Sequence, residues 1–186
     1  MKLSCTQENL NKGLSVVGRI AKSGSALPVL SNILLKTESG RLKLSTTDLE
    51  IGASCYVGAK VEKEGAITIL ARLLIDYVMM NNDKKIDLSA SNATLSLESE
   101  RYKAKIKGID ASEFPLIPSV KEKPLASFSP PRLKEAISQV LIAPSLDEIK
   151  PVLSGICLKF EGKQLKMVAT DSFRLAEKTL PLEKEV

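Results

Sequence analysis

The stretch PVLSGICLKFEGKQLKMVATD, residues 151–171, has a near twin in PVLSNILLKTESGRLKLSTTD, residues 28–48. Aligned without gaps, the two agree at twelve of twenty-one positions. Unrelated segments of ordinary composition agree at about one or two. The register extends upstream, where Leu10 meets Leu133, Leu14 meets Ile137 and Val17 meets Val140, each 123 residues apart. Self-similarity at a fixed period is the strongest organising signal a sequence can carry. A period near 120 is too long for a solenoid repeat and fits a duplicated domain.

The rest of the sequence bounds what such a domain can be. The chain has 186 residues, of which 44% are hydrophobic but only 4% aromatic, with no Trp, so aliphatic side chains must build the core. The net charge of +5 is spread over both copies; it suits a polyanionic partner and is also ordinary for a soluble protein. Cys5, Cys55 and Cys157 are odd in number and widely spaced, without a CxxC pair. That pattern predicts buried thiols in a reducing compartment and argues against a disulfide frame or a zinc site. No signal-peptide run follows Met1 and no apolar stretch is long enough to span a bilayer, so the expectation is a cytoplasmic protein without membrane contact or cofactor.

Along the chain, MKLSC reads as a short strand, and the spacing of Leu10, Leu14, Val17 and Ile20 or Ala21 predicts a helix from Gln7, capped by Thr6 and ended by SGS at 23–25. Its opposite face carries Asn11, Lys12, Ser15, Gly18, Arg19 and Lys22. NILLKTE and RLKLSTT, joined through Ser39-Gly40, predict a hairpin, and EIGASCYVGAKV a third strand. The order strand, helix, three strands then recurs more faintly as AITIL, ARLLIDYVMM, KIDLSA, TLSLES and RYKAKIK. Two such half-units make a domain over 1–119, followed by a charged, Pro-ended linker at 120–124. LASFS opens the second copy, Pro131 starts the helix RLKEAISQVLIA, and Pro144 ends it. The expectation is one whole domain and, over 125–186, the first half of a second, with helices on one face and antiparallel sheets on the other.

Asp48 and Asp171 could be read as catalytic carboxylates, and Ser31 or Ser154 with a nearby Lys as a hydrolase dyad. Each recurs at the same point of both copies, which favours a turn or cap role, and no Gly-rich phosphate loop or metal cluster accompanies them. The expectation is that this is not an enzyme.

Three motifs carry a family resemblance: LPVLSNILLKTESGRLKLSTTDLEI (27–51), DASEFPLIP (110–118) and KPVLSGICLKFEGKQLKMVATDSFRLA (150–176). In this order they resemble the bacterial sliding clamps, the beta subunits of DNA polymerase III, over Met1 to about Pro181; VATD followed by Arg174-Leu175-Ala176 is the most specific piece. The resemblance implies a DNA-clamp fold of class α+β, made of duplicated β-α-β-β-β units. It implies three similar domains in the family's chain, the third absent here, and a head-to-tail homodimer closed into a ring around duplex DNA. Helices would line the channel, sheets would form the outer wall, and the ring would hold polymerases on DNA without chemistry of its own. A protein-interaction scaffold of duplicated sheet domains without DNA binding is the alternative.

A clamp that slides needs positive charge with little base readout. Lys12, Arg19 and Lys22 on the first helix, Arg72 at the start of the second, and Arg132 and Lys134 on the third meet that need. By resemblance, Arg72 matches a DNA-contacting arginine of the family. A further basic contact falls on Gly24, where Lys22 substitutes, and a histidine contact falls near Leu146, where Lys150 is the nearest basic residue. The resemblance also implies a pocket for hydrophobic peptides of the polymerase alpha subunit, the clamp loader and other clamp-binding proteins, at Leu153, Thr170, Ser172, Phe173, Arg174 and Leu175. Ser172 and Phe173 depart from the Gly and His common there. Leu30 and Thr47 repeat Leu153 and Thr170, so those two are also readable as hairpin core. RYKAKIK alternates Arg101, Lys103, Lys105 and Lys107 with Tyr102, Ala104 and Ile106, the pattern of a charge-guarded edge strand. The resemblance makes it a subunit-pairing edge, with Tyr77, Tyr102 and Ala104 in the contact.

Overall fold

The computed structural model describes residues 1–21, 27–118, 123–146 and 150–186. Lys22, Gly24, the SGS segment and residues 120–122 of the expected linker lie outside the described residues. The chain divides into two compact units, Met1–Ser119 and Val120–Val186.

The first unit begins with β1 (Lys2–Thr6) and α1 (Gln7–Val17). Thr6 caps the helix by accepting a hydrogen bond from the Asn9 amide at 3.3 Å. The helix ends at Val17, short of the predicted stop. The buried Thr46 hydroxyl donates to the Val17 carbonyl at 2.8 Å, satisfying a carbonyl that a continuing helix would have used itself. Leu10, Leu14 and Val17 are fully buried, as their spacing predicts. Gly13 lets α1 approach the sheet closely, since a Cβ there would lie 2.6 Å from Val57 Cγ2.

After a 3-10 turn at Pro28–Ser31 come β2 (Asn32–Glu38) and β3 (Arg41–Thr47). Ser39 and Gly40, at φ of 50° and 71°, form the two-residue turn that joins them. The predicted third strand is in fact two. β4 (Gly52–Val57) pairs with β3, while β5 (Lys60–Lys63) crosses after Gly58-Ala59 to pair with β1. The second half-unit supplies β6 (Ala66–Leu70), α2 (Ala71–Met80), β7 (Lys85–Ser91), β8 (Thr94–Glu98) and β9 (Lys103–Lys107).

The sheet orders explain why two half-units make one domain. One sheet runs β4-β3-β2-β6 and the other β5-β1-β7-β8-β9. The opening strand of each half-unit therefore completes the sheet of the other. The helices α1 and α2 pack side by side, α1 on β3 and β4 and α2 on β6. Twenty buried apolar residues form the core among the described residues.

The second unit repeats the first half-unit with no change of register. α3 (Pro130–Val140), the 3-10 turn Pro151–Ser154, and β11 (Gln164–Thr170) fall 123 residues after α1, Pro28–Ser31 and β3. β10 (Cys157–Glu161) and β12 (Leu175–Pro181) flank β11. Two expectations are corrected. α3 stops at Val140, before Pro144, with Ala143 closing a last turn onto the Val140 carbonyl. LASFS forms no strand, because its counterpart β1 is held by β7 and β5, and no described residue of this unit takes those places. Eight buried apolar residues form this unit's core among those described.

Candidate functional site

The most developed local geometry is a turn that the chain builds twice. Asp171 Oδ1 accepts hydrogen bonds from the Phe173 and Arg174 amides at 3.0 and 2.9 Å. Thr170 Oγ1 accepts from the Ser172 amide at 3.1 Å and donates to the Arg174 carbonyl. In the first unit Asp48 Oδ1 accepts from Glu50 and Ile51, and Thr47 Oγ1 bonds to Leu49 and Ile51 in the same way. Leu49 and Ser172 occupy the same left-handed backbone position, at φ of 77° and 78°. The Arg174 and Phe173 amides, in that order of effect, hold the Asp171 carboxyl below the usual carboxylate range. The aspartates thus serve as turn formers, and the Ser154 hydroxyl is taken up by the Pro151 carbonyl at 2.7 Å.

What differs is what the turns display. In the second unit Arg174 Nε lies 2.9 Å from Asp171 Oδ2, and Phe173 stands 98% exposed. The turn edges an open cavity of about 500 Å³ shared with Leu153, Leu146 and Pro144. Of the expected peptide-pocket residues, Leu153, Ser172, Phe173 and Arg174 line this cavity; Thr170 braces the turn from behind, and Leu175 is largely exposed beside it. Lys150, expected among the DNA contacts, also lines it. Leu146, fully exposed, and Pro144 were not foreseen as cavity residues, since nothing in the sequence signals a loop folding back. The Ser145 amide holds that loop to the Leu153 carbonyl at 2.9 Å.

Of the predicted cationic residues, Lys12, Arg72, Arg132 and Lys134 stand on exposed helix faces, with unequal freedom. Lys12 Nζ is 2.6 Å from Glu8 and Arg72 Nε is 3.8 Å from Asp76, both pairs largely in solvent. Arg132 and Lys134 are exposed on α3, and Arg19 lies in the turn just past α1; none has an ion-pair partner among the described residues. α2 also exposes Leu73, Met79 and Met80, so its outer face is more apolar than its one arginine suggests.

The expected pairing edge is an edge: β9 ends the five-stranded sheet. Tyr77 Oη donates to the Tyr102 carbonyl at 3.3 Å, and Ala104 sits half-buried on β9. Sequence reading missed what fixes this corner. The Asp83 carboxylate, its side chain 3% exposed, accepts from the Arg101 amide at 2.8 Å, Arg101 Nε at 2.7 Å and the Ser99 hydroxyl at 2.8 Å. Asn81, at the end of α2, donates to Ser99 at 3.0 Å. The Arg101 amide and then its guanidinium and Ser99 hold the Asp83 carboxyl low. The thiol expectation is corrected in part. Cys5 is buried, and desolvation pushes its thiol up to about 12, but Cys55 is half-buried and Cys157 exposed. Among the described residues no helix is long and apolar enough to cross a membrane.

A repeated β-α-β-β-β unit with exposed helices over antiparallel sheets defines the DNA-clamp fold. The family model of the DNA polymerase III beta subunit N-terminal domain matches residues 1–118, that of its central domain matches 128–186, and the chain belongs to this family. The beta sliding clamp of Synechococcus elongatus is 41% identical over 181 residues, covering 95% of this chain and 48% of the relative. That of a Synechocystis strain is 37% identical over 197 residues, covering 100% of this chain and 50% of the relative. The crystal structure of the Pseudomonas aeruginosa DNA polymerase III beta subunit superposes with a TM-score of 0.89 at 28% identity, covering 99% of this chain and 50% of that one. The same organism's clamp has been solved bound to griselimycin, and superposes at 0.87 with 29% identity over the same shares of the two chains. The chain thus spans about half the length of the relatives it matches.

Proposed function

We propose that this chain forms part of a replication sliding clamp, a non-catalytic ring that encircles duplex DNA and tethers polymerases through peptide docking. The observation that carries the reading is the recurrence of exposed cations on all three helices: Lys12 on α1, with Arg19 just beyond it, Arg72 on α2, and Arg132 and Lys134 on α3. Side chains on helical faces reach phosphates without reading bases, which suits sliding. Lys22 and Lys150 belong to the same proposed set. The cavity lined by Leu153, Ser172, Phe173 and Arg174, with Thr170 and Leu175 flanking its turn, is the proposed peptide site, and a Pseudomonas aeruginosa relative has been solved with griselimycin bound. The β9 edge with Tyr77, Tyr102 and Ala104 is proposed as the contact between subunits of a homodimer.

Duplex binding tests the reading. Affinity for duplexes of unrelated sequence should be equal within about twofold and fall steeply with salt. For each phosphate that the protein no longer neutralises, the slope of log affinity against log salt should shrink by about 0.9. Replacing Arg72, Arg132 and Lys134 together by Ala should flatten that slope; an unchanged slope in the triple variant would remove the helix faces from the DNA path.

A further inference from the structure

The repeat supplies an internal comparison on the face of the sheet turned away from the core. Leu35 and Leu44 point into the core, so their neighbours Lys36 and Lys43 lie on the other face. In both copies two lysines stand directly opposite on paired strands, Lys36 and Lys43 on β2 and β3, Lys159 and Lys166 on β10 and β11. Like charges in that relation repel. In the second copy Glu161 answers both, its oxygens 2.6 Å from Lys159 Nζ and 3.3 Å from Lys166 Nζ. In the first copy the equivalent Glu38 lies 3.3 Å from Lys43 Nζ and accepts from the Tyr56 hydroxyl at 3.3 Å. Tyr56 stands where the second copy has Thr179. Lys36 is left exposed and, among the described residues, without an ion-pair partner.

Lys36 and Lys43 border a cavity of about 580 Å³, a volume in the range of ligand sites, between the sheet and the segment 114–118. The Ser45 and Ser54 hydroxyls, 2.8 Å apart, line its sheet side; Ile117 and Leu116, the latter 97% exposed, line the other. Phe114 and Ile117 each precede a proline, which holds them extended. Among the described residues neither the Leu116 nor the Ile117 amide donates a hydrogen bond. A rigid extended segment with free amides is a template for an added strand, and its rigidity lowers the entropy cost of pairing. We infer that this cavity docks an extended peptide segment of a partner protein, its acidic side chain reaching Lys36 and its apolar side chains lying against Leu116 and Ile117. The unanswered ammonium selects a carboxylate, the exposed leucine selects an apolar neighbour, and the free amides select a main chain over a compact organic anion. The site lies wholly in the first unit and shares no residue with the cavity beside Phe173.

The test titrates two probes, acetyl-Val-Glu-Val-Thr-Val-amide and acetyl-Val-Gln-Val-Thr-Val-amide, into the isotope-labelled chain and follows its amide resonances. The Glu probe should move the amides of Leu116, Ile117, β2 and β3, and at low salt bind about three- to fivefold more tightly than the Gln probe. Lys36→Gln should bring the two probes within about 1.5-fold of one another, and Leu116→Ser should weaken both alike. Lys36→Gln should leave the tyrosine-monitored thermal midpoint within about 1 °C or raise it, because it removes one of two opposed charges. A midpoint lowered by several degrees would assign Lys36 to the fold's own support and overturn its docking role, as would a Glu preference that survives in Lys36→Gln. Equal affinity of the unaltered chain for both probes, no response to either, or shifts confined to Ser172–Leu175 would overturn the site.

Discussion

Leu10 and Leu133 are the same residue at the same place in two copies of one motif, and replacing each by Ala separates what the copies share from what they do not. Leu10 is fully buried within the larger core, between α1, α2 and the sheets. Leu133 is only half-buried, at the margin of a core of eight described residues. Truncating a fully buried leucine costs about 3–4 kcal/mol, because a cavity remains after the transfer term. Truncating a half-buried one costs about 1–2 kcal/mol, since part of its surface already meets water and the site can relax. For a unit of about 120 residues each kcal/mol moves the thermal midpoint by about 4 °C, so Leu10→Ala should lower it by about 12–16 °C. Tyrosine fluorescence isolates the first unit, because Tyr56, Tyr77 and Tyr102 all lie there and the chain has no Trp. Leu133→Ala should leave the tyrosine-monitored transition in place and instead speed amide exchange in α3 and β11. If Leu133→Ala lowered the tyrosine midpoint as far as Leu10→Ala, the assignment of two separate cores with unequal burial would be wrong.

Other consequences are as direct. Asp83 binds fewer protons folded than unfolded, so its contribution is fully present above the ordinary carboxylate range, about 3.9, and fades as the pH falls through the lowered folded value. Asp83→Asn should therefore speed amide exchange at Ser99–Tyr102 and in β9 at neutral pH while removing most of the acid sensitivity of that corner; exchange there that still accelerated with acid in the variant would assign the sensitivity to another group. Thiol labelling at neutral pH should modify Cys157 rapidly, Cys55 more slowly and Cys5 only on unfolding, since burial keeps the last as a thiol. Rapid labelling of Cys5 in the folded chain would contradict its placement in the core.

Much of this fold was legible because duplication and periodicity report on local geometry. The helix stripe, the Ser39-Gly40 hairpin and the repeat register all follow from residues close in sequence. The exchange of opening strands between half-units was not legible, because pairing of β1 with β7 joins segments about eighty residues apart and leaves no periodic trace. The same blindness turned β4 and β5 into one expected strand, as alternation continues through Gly58-Ala59 while the chain changes sheets. At the candidate site, the sequence marked the exposed helix cations and the repeated Thr-Asp turn. It gave no sign of the Asp83 latch, whose members Asn81, Asp83, Ser99 and Arg101 come from separate segments that no sequence pattern pairs, or of the Leu146 wall.

The twin turn also bears on how repeats within one chain are to be read. Thr and Asp recur at 47–48 and 170–171 because their side chains, not their neighbours', close the turn onto the backbone. Identity between copies therefore marks scaffold, and a repeated aspartate loses weight as a catalytic candidate each time the same hydrogen bonds are found around it. Difference between copies marks positions that the scaffold leaves unconstrained. Phe173 replaces Glu50 without altering the turn, so the turn's own hydrogen bonds do not account for it. A side chain of that size left almost wholly in water adds nothing to the unit's own core, and its burial against another surface would be favourable.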